Sequence, residues 1–415
     1  MRKLAIATAA VAALLPALTA CGPGPAPARV VRIDSGVADT VGVLSFPDHW
    51  SGQVEGGHPA AWLGPGRFLI GSLNALLPYQ KDDGEHLQLG FNDWSARLAG
   101  RVVSLDLSKD SAFAWLAHAS ETDLAGLRLV SLRDSLPSTL RPALKRLAAA
   151  NPHVGLTIDI QAAVNEILAL FRPRVLMLPE LDSSASRQLT PQRQIETLIT
   201  SSGDSGSLDV LRLLPNLRQL LLDNTTVDRA GQLPAGLEAL TVTDGTVDLN
   251  RLGSLPRLRT LVLTGSEWRG VSGLAALPKL QWLGFPTNAT QAEFAAIVRA
   301  HSDLEVVELI GVDSVTDLAP LRSARHLRAL TIDGRYRDLG VLRDLPSLEF
   351  VGLSKQIWTD APDQVAAIRA ALPAAAVVKV TPLCLGSGWI LLLVPVALLV
   401  MLAGRRTRRA WPIPH

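Results

Sequence analysis

The chain repeats one pattern seven times, with an aliphatic residue or phenylalanine at the first, fourth and sixth of six successive positions. Successive copies begin 20 to 24 residues apart. Their first positions are Leu217, Leu237, Leu258, Leu280, Leu304, Leu327 and Leu348. A unit this short cannot bury its own apolar face, so the pattern predicts a solenoid in which each copy packs on its neighbours.

This pattern resembles the leucine-rich repeat family, whose core is Leu-x-x-Leu-x-Leu and whose period is about 20–29 residues. The stretch VDSVTDLAPLRSARHL, residues 312–327, resembles the bacterial internalin-type subclass. Weaker copies begin near 101, 126, 153, 172 and 194, so the resemblance covers roughly residues 100–380. It implies an α/β fold with a curved parallel β-sheet on the concave face and turns and helices on the convex face.

The ninth position of each copy departs from the family pattern, in which it is usually Asn. Only Asn288 matches, and the other six residues are Thr225, Gly245, Ser266, Val312, Arg335 and Gln356. Since Thr and Ser replace only part of the Asn hydrogen bonding, we expect an irregular solenoid. Helices are predicted on the convex side over residues 137–151, 160–170, 290–301 and 362–372.

The third and fifth positions of each copy alternate with the core positions and are expected to face the concavity. Aromatic residues beside charges are typical anchors of protein interfaces. Trp282 and Phe350 are therefore the candidate anchors on the concave face. The full set of concave-face candidates for protein binding adds their polar neighbours and comprises Gln219, Asp223, Trp282, Glu308, Asp333 and Phe350. The alternative is that such an aromatic residue covers its neighbour within the sheet.

Both ends of the chain predict export and membrane anchoring. Residues 1–20 have the charged and then apolar order of a signal peptide, and Leu-Thr-Ala-Cys at 18–21 resembles the lipobox of bacterial lipoproteins. That resemblance implies lipidation of Cys21, although an ordinary signal peptide is the alternative. Residues 21–29 form a Pro/Gly linker.

Residues 383–404 carry no charge and are long enough for a transmembrane helix. The basic tail, residues 405–415, places the C-terminus in the cytoplasm and the repeats outside it. A cleaved C-terminal sorting signal is the alternative for this end, and it would leave a passive envelope or surface component.

Residues 30–100 fit no repeat and predict an N-terminal cap or a small β-rich head, which precedes the repeat domain at 101–380. Charge argues against nucleic acid as a partner. Without the six basic residues at the two termini, the chain has 34 basic and 38 acidic residues, so it lacks a basic surface for phosphates.

Nothing in the sequence specifies catalysis, a metal site or a cofactor. Gly-Asp-Ser-Gly at 203–206 matches the letters around a serine protease nucleophile, but Ser205 stands in a Ser/Gly-rich loop without the protease context. The eight histidines are scattered without metal-ligand spacing. We therefore expect a non-enzymatic scaffold or receptor-like module that binds another protein. A serine hydrolase in the head or at Ser205 is the alternative from another class.

Overall fold

The computed structural model describes residues 53–55, 61–62, 68–69, 95–98 and most of 101–381. Gaps within that last range fall at 108–109, 128, 134–137, 160–163, 182–188, 202–207, 230, 232, 253–254, 264, 346, 349 and 374. The predictions for Cys21, Ser205, the signal peptide and residues 383–404 lie outside the described residues.

One long parallel sheet dominates the described part of the chain. Before the repeats, the strands are β1 (Gln53–Glu55), β2 (Ala61–Trp62), β3 (Phe68–Leu69) and β4 (Ser95–Leu98). The weaker copies supply β5 (Arg101–Asp106), β6 (Leu129–Arg133), β7 (Gly155–Asp159), β8 (Val175–Glu180) and β9 (Thr197–Ser201). The strong copies and the last strand supply β10 (Gln219–Asp223), β12 (Ala239–Thr243), β14 (Thr260–Val262), β16 (Trp282–Gly284), β17 (Val306–Leu309), β18 (Ala329–Ile332), β19 (Phe350–Ser354) and β20 (Ala376–Thr381).

The strands of the large sheet follow chain order from β5 to β20, apart from three short strands that leave it. Those three, β11 (Thr226–Val227), β13 (Thr246–Asp248) and β15 (Glu267–Arg269), form a small parallel sheet of their own. Strand β4 pairs antiparallel with β5 at one edge, and β1 pairs parallel with β20 at the other. The region before the repeats therefore contributes a strand to each edge.

The register of the sheet follows the repeat. Gln219 pairs with Ala239, which pairs with Thr260, and Thr260 pairs with Trp282. Every one of these residues is the third position of its copy, so the repeat spacing fixes the register. The same alignment continues from Trp282 through β17 and β18 to Phe350.

The aliphatic positions of the copies form one continuous core. In the first strong copy Leu217, Leu220 and Leu222 are at most 1% exposed, and the corresponding side chains of its neighbours are buried with them. A fully buried leucine contributes about 1.5–3 kcal/mol, and it does so only when the next turn covers it. This dependence explains why the fold needs many copies.

Each early strong copy turns out of the sheet at the same position. Asn224, Asp244 and Gly265 have φ of 45°, 50° and 78°, which is the left-handed region that Asn, Asp and Gly tolerate best. Gly245 then lies so close to the previous turn that a Cβ atom would stand 2.1 Å from the Thr225 carbonyl oxygen.

The ninth position confirms the expected irregularity. The Asn288 side chain accepts from the Trp268 N–H (3.1 Å) and donates to the Trp268 carbonyl (2.9 Å), which ties two turns together. Ser266 performs a similar role, because its hydroxyl accepts from the Gly245 N–H and donates to the Val242 carbonyl. The Thr225 hydroxyl donates to the carbonyl of Asp223 in its own turn.

The convex side uses helices where the copies are long or early in the chain. The α-helices are α1 (Asp110–His118), α2 (Glu121–Ala125), α3 (Arg141–Ala150), α4 (Val164–Leu170), α5 (Gln291–Ala300), α6 (Lys355–Asp360) and α7 (Pro362–Ala371). The 3-10 helices are Ser138–Leu140, Asp209–Leu213, Leu249–Arg251, Val271–Ala276, Ala319–Ser323 and Leu339–Asp344. The predicted capping box is present at α5, where Thr290 and Glu293 bond each other's backbone N–H.

Candidate functional site

Three of the six predicted concave-face residues are buried rather than exposed. Gln219, Trp282 and Glu308 are 1%, 2% and 2% exposed, so the expectation that Trp282 is an exposed aromatic anchor is wrong. Side chains in one row of a parallel sheet stand about 4.8 Å apart, and each of these is flanked on both sides by neighbouring strands. The alternative given for the aromatic residue, that it covers its neighbours, matches the position of Trp282.

Two of the six candidates, Trp282 and Glu308, are joined by a hydrogen bond. The Trp282 Nε1–H donates to Glu308 Oε1 at 2.8 Å. The two residues lie on adjacent strands, where Gly284 is the direct neighbour of Glu308. Gly284 itself lies against Val262, because a Cβ atom there would stand 2.9 Å from Val262 Cγ1.

The buried carboxyl group of Glu308 is short of partners. Within the described part of the chain, its Oε2 atom has no hydrogen-bond partner, and the same holds for the hydroxyls of Thr241 and Thr260. Burial raises the pKa of Glu308 to about 8, and the hydrogen bond from Trp282 opposes the rise only in part. At neutral pH this group is therefore mostly uncharged in the folded protein.

Gln219 is also bound inside the sheet, because its Oε1 accepts from the Thr197 hydroxyl at 3.1 Å. Asp223 and Asp333 are half-buried at the ends of their strands. Asp223 Oδ1 accepts from the Thr243 hydroxyl at 2.6 Å. For Phe350 the structure gives the backbone pairing with Ala329 and Ala376. A binding role for the six residues stays a prediction.

A second row of polar side chains stands at the start of the strands, and the sequence analysis missed it. It is formed by the residue that follows the first core position of each copy, and we call it the second-position ladder. Its members are Arg174, Glu196, Arg218, Glu238, Arg259, Gln281, Glu305 and Arg328, all half-buried. The signal that could have revealed it is the near alternation of Arg and Glu at this position.

Hydrogen bonds between successive ladder residues hold their charged side chains in place. Arg174 bonds Glu196 through two contacts of 3.1 and 2.6 Å, and Arg218 bonds Glu238 through two of 2.9 and 2.7 Å. The backbone supports the side chains, because the N–H of each ladder residue from Glu196 onward donates to the carbonyl of the preceding one. Hydrogen bonding to Glu238 raises the pKa of Arg218.

The alternation breaks at Gln281. Its Oε1 accepts from Arg259 Nε at 2.6 Å, and its Nε2 donates to Glu305 Oε1 at 3.0 Å. An amide is suited to this place because it has both an acceptor and donors. After it the order of charges is reversed, since Glu305 precedes Arg328. Among the described residues, no carboxylate oxygen lies within salt-bridge distance of Arg259.

A groove lies beside this break. It encloses about 480 Å³ and is lined by Glu238, Arg257, Arg259, Pro278, Lys279, Gln281 and Asp303. We call it the edge groove. Arg257, Lys279 and Asp303 are exposed, and each comes directly before the first core leucine of its copy, so the solenoid brings them together from three successive repeats.

The described residues contain no other arrangement that points to chemistry. Within them, no group of three His, Cys, Asp or Glu residues could hold a metal ion. The same part of the chain has no helix with the length and apolarity needed to cross a membrane.

The similarity of this chain to known proteins is confined to solved structures of low sequence identity. No family model matches the chain, and none of the curated proteins matches it. An internalin (inlF) from Listeria monocytogenes is 16% identical over 65% of this chain and 88% of its own, with a TM-score of 0.33. Internalin C2 of the same organism is 18% identical over 57% and 84%, with a TM-score of 0.26.

At these TM-scores the backbones do not superpose as wholes. The fold is therefore assigned from the strand order, the register and the buried repeat positions of this chain. These define an α/β leucine-rich repeat solenoid.

Proposed function

We propose that this protein is an exported, membrane-anchored leucine-rich repeat protein that binds another protein along its solenoid. A solenoid offers an extended surface of regularly spaced side chains. The particular side chains on that surface, rather than the fold, determine what the protein binds. The observation that carries the proposal is the second-position ladder, which holds polar side chains at fixed spacing on successive strands.

The proposed binding surface differs from the concave face that the sequence favoured. Buried Gln219, Trp282 and Glu308 offer a partner little area. Asp223 and Asp333 remain candidates because both are partly exposed. The exposed residues beside the ladder, including Lys279, are better placed to contact a partner.

The proposed location rests on the sequence of the two termini. The signal peptide, the Cys21 lipid and the helix at 383–404 would hold the repeats outside the cytoplasm, in the periplasm or on the cell surface. The Pro/Gly linker after Cys21 would keep the solenoid away from the bilayer.

The test is crosslinking in intact cells with a lysine-reactive reagent, an affinity tag placed after residue 30, and mass spectrometry of the captured material. We expect one abundant partner protein whose crosslinks involve Lys279 on the edge groove more than Lys145 on helix α3; both lysines are exposed. No specific partner, or crosslinks confined to residues 30–100, would contradict the proposal.

The same sample tests the two anchors. A lipid on Cys21 that disappears in Cys21→Ala, together with an intact C-terminus, is expected. A mature chain that ends near 384 would instead support a cleaved sorting signal. Labelling by a fluorophosphonate that is lost in Ser205→Ala would support the hydrolase alternative.

A further inference from the structure

We propose that the edge groove is the contact point for an acidic segment of the partner protein, with Arg257, Arg259 and Lys279 receiving its carboxylates. This inference rests on the proposed function, since it names the chemistry that the partner must present.

The break leaves one arginine of the ladder without its expected partner. Arg174 and Arg218 each hold a carboxylate through two hydrogen bonds. Among the described residues, Arg259 instead bonds only the neutral Oε1 of Gln281, and Glu238 on its other side is already held by Arg218. Because a guanidinium has five N–H donors in a planar fork, Arg259 retains donors for a further acceptor.

Two more cations stand in the same groove. Arg257 and Lys279 are exposed, and the described residues place no carboxylate oxygen within 4.0 Å of either of them. Of the two acidic residues in the groove, Glu238 is neutralised by Arg218, which leaves only Asp303 against three cations. The groove therefore has an excess of positive charge on a chain whose body is slightly acidic.

The surrounding charges favour a peptide over a nucleic acid. A nucleic acid backbone presents one phosphate after another and needs an extended basic surface. Here the ladder beyond the groove consists of arginines and glutamates that pair with each other, such as Arg174 with Glu196 and Glu305 with Arg328. A short cluster of carboxylates fits the local excess of positive charge, whereas a long polyanion would find no further unpaired cations along the ladder.

The first experiment measures binding of fluorescein-labelled octaglutamate to the full-length protein in an uncharged detergent, by fluorescence anisotropy at low salt. The test variant is Arg257→Ala/Lys279→Ala, because both residues are exposed and neither side chain makes a hydrogen bond or ion pair within the described part of the chain. The matched control is Arg172→Ala/Arg299→Ala, which removes the same charge from two exposed residues elsewhere.

We expect the groove variant to bind octaglutamate about five- to tenfold more weakly than the wild type, since each exposed ion pair contributes modestly. The control should bind within about twofold of the wild type. Asp303→Asn should bind more tightly, because it removes the one unneutralised negative charge of the groove. Equal losses in groove variant and control, or no gain with Asp303→Asn, would overturn the proposal.

A second readout separates this inference from the proposed function. The partner found in cells is captured by the tagged protein without crosslinker, and the two double variants are compared. Loss of the partner only in the groove variant supports the assignment. Equal capture by both variants would overturn the groove as the contact point and leave the partner-binding function standing. If no partner is captured at all while octaglutamate binding still depends on the groove, the proposed function fails and the anion site stands.

Discussion

The buried carboxyl group of Glu308 gives the sharpest quantitative prediction, because it makes the stability of the solenoid depend on pH. In the unfolded chain a glutamate has a pKa of about 4.3, and in the fold burial raises the pKa of Glu308 to about 8. Between these values the folded protein keeps a proton that the unfolded chain releases. The free energy of unfolding must therefore fall as the pH rises from about 5 to about 8.

The size of the effect follows from the same pKa. Each pH unit within the window costs about 1.4 kcal/mol, so the loss from pH 5 to pH 8 is on the order of 4 kcal/mol. Glu308→Gln should remove it, because glutamine has no titrating group and its Oε1 can still accept from Trp282 Nε1–H. The two proteins should be similarly stable at pH 5, and the variant should be the more stable one at pH 8.

The assay is urea unfolding of the full-length protein at pH 5, 6, 7 and 8, followed by tryptophan fluorescence. The matched control is Glu267→Gln, which makes the same substitution at an exposed position and should keep the pH dependence of the wild type. Parallel curves for the wild type and Glu308→Gln would refute the reasoning, since they would mean that Glu308 is ionised inside the fold or accessible to water.

Three further substitutions test the ladder, the turns and the helix cap by thermal unfolding. Gln281→Glu gives Arg259 a carboxylate partner, but it removes the donor to Glu305 and sets two carboxylates side by side. Because a half-exposed ion pair contributes little, the melting temperature should fall at pH 7 and recover near pH 4; a loss independent of pH would speak against charge repulsion. Gly245→Ala should destabilise by about 3 kcal/mol, because its Cβ would meet the Thr225 carbonyl at 2.1 Å, while Gly236→Ala, with its nearest atom at 3.6 Å, should be tolerated. Thr290→Ala removes the acceptor of the Glu293 N–H and should cost about 1 kcal/mol; an unchanged stability would show that the cap is dispensable.

The sequence predicted the sheet well because one physical requirement repeats along it. A leucine that must be covered by the next copy fixes both the strand and its register, so the third positions from Gln219 to Phe350 align as expected. The helix at Gln291–Ala300 was also predictable, since its capping box and apolar spacing are local signals.

The concave face could not be predicted from the same pattern, because alternation indicates which side of a sheet a residue faces but not what covers it. Trp282 alternates with core leucines as an exposed residue would, yet it is buried and its indole N–H donates to Glu308. That contact joins residues 26 positions apart on adjacent strands. Burial of this kind depends on the sizes of neighbouring side chains, which a search for repeats does not weigh.

The buried concave face and the broken ladder together explain why a partner would approach the edge of this solenoid. Large side chains in the concave rows are buried and form their hydrogen bonds within the sheet. Little of their surface is therefore available to a second protein. The ladder does the reverse, because its residues are held in place by their neighbours and remain half-exposed. Where alternation is complete, the charges satisfy one another. At Gln281, where the order of Arg and Glu is reversed, the pairing leaves Arg259 with donors to spare. Specificity would then come from one neutral residue in a row of charges, placed where two exposed cations from successive repeats meet.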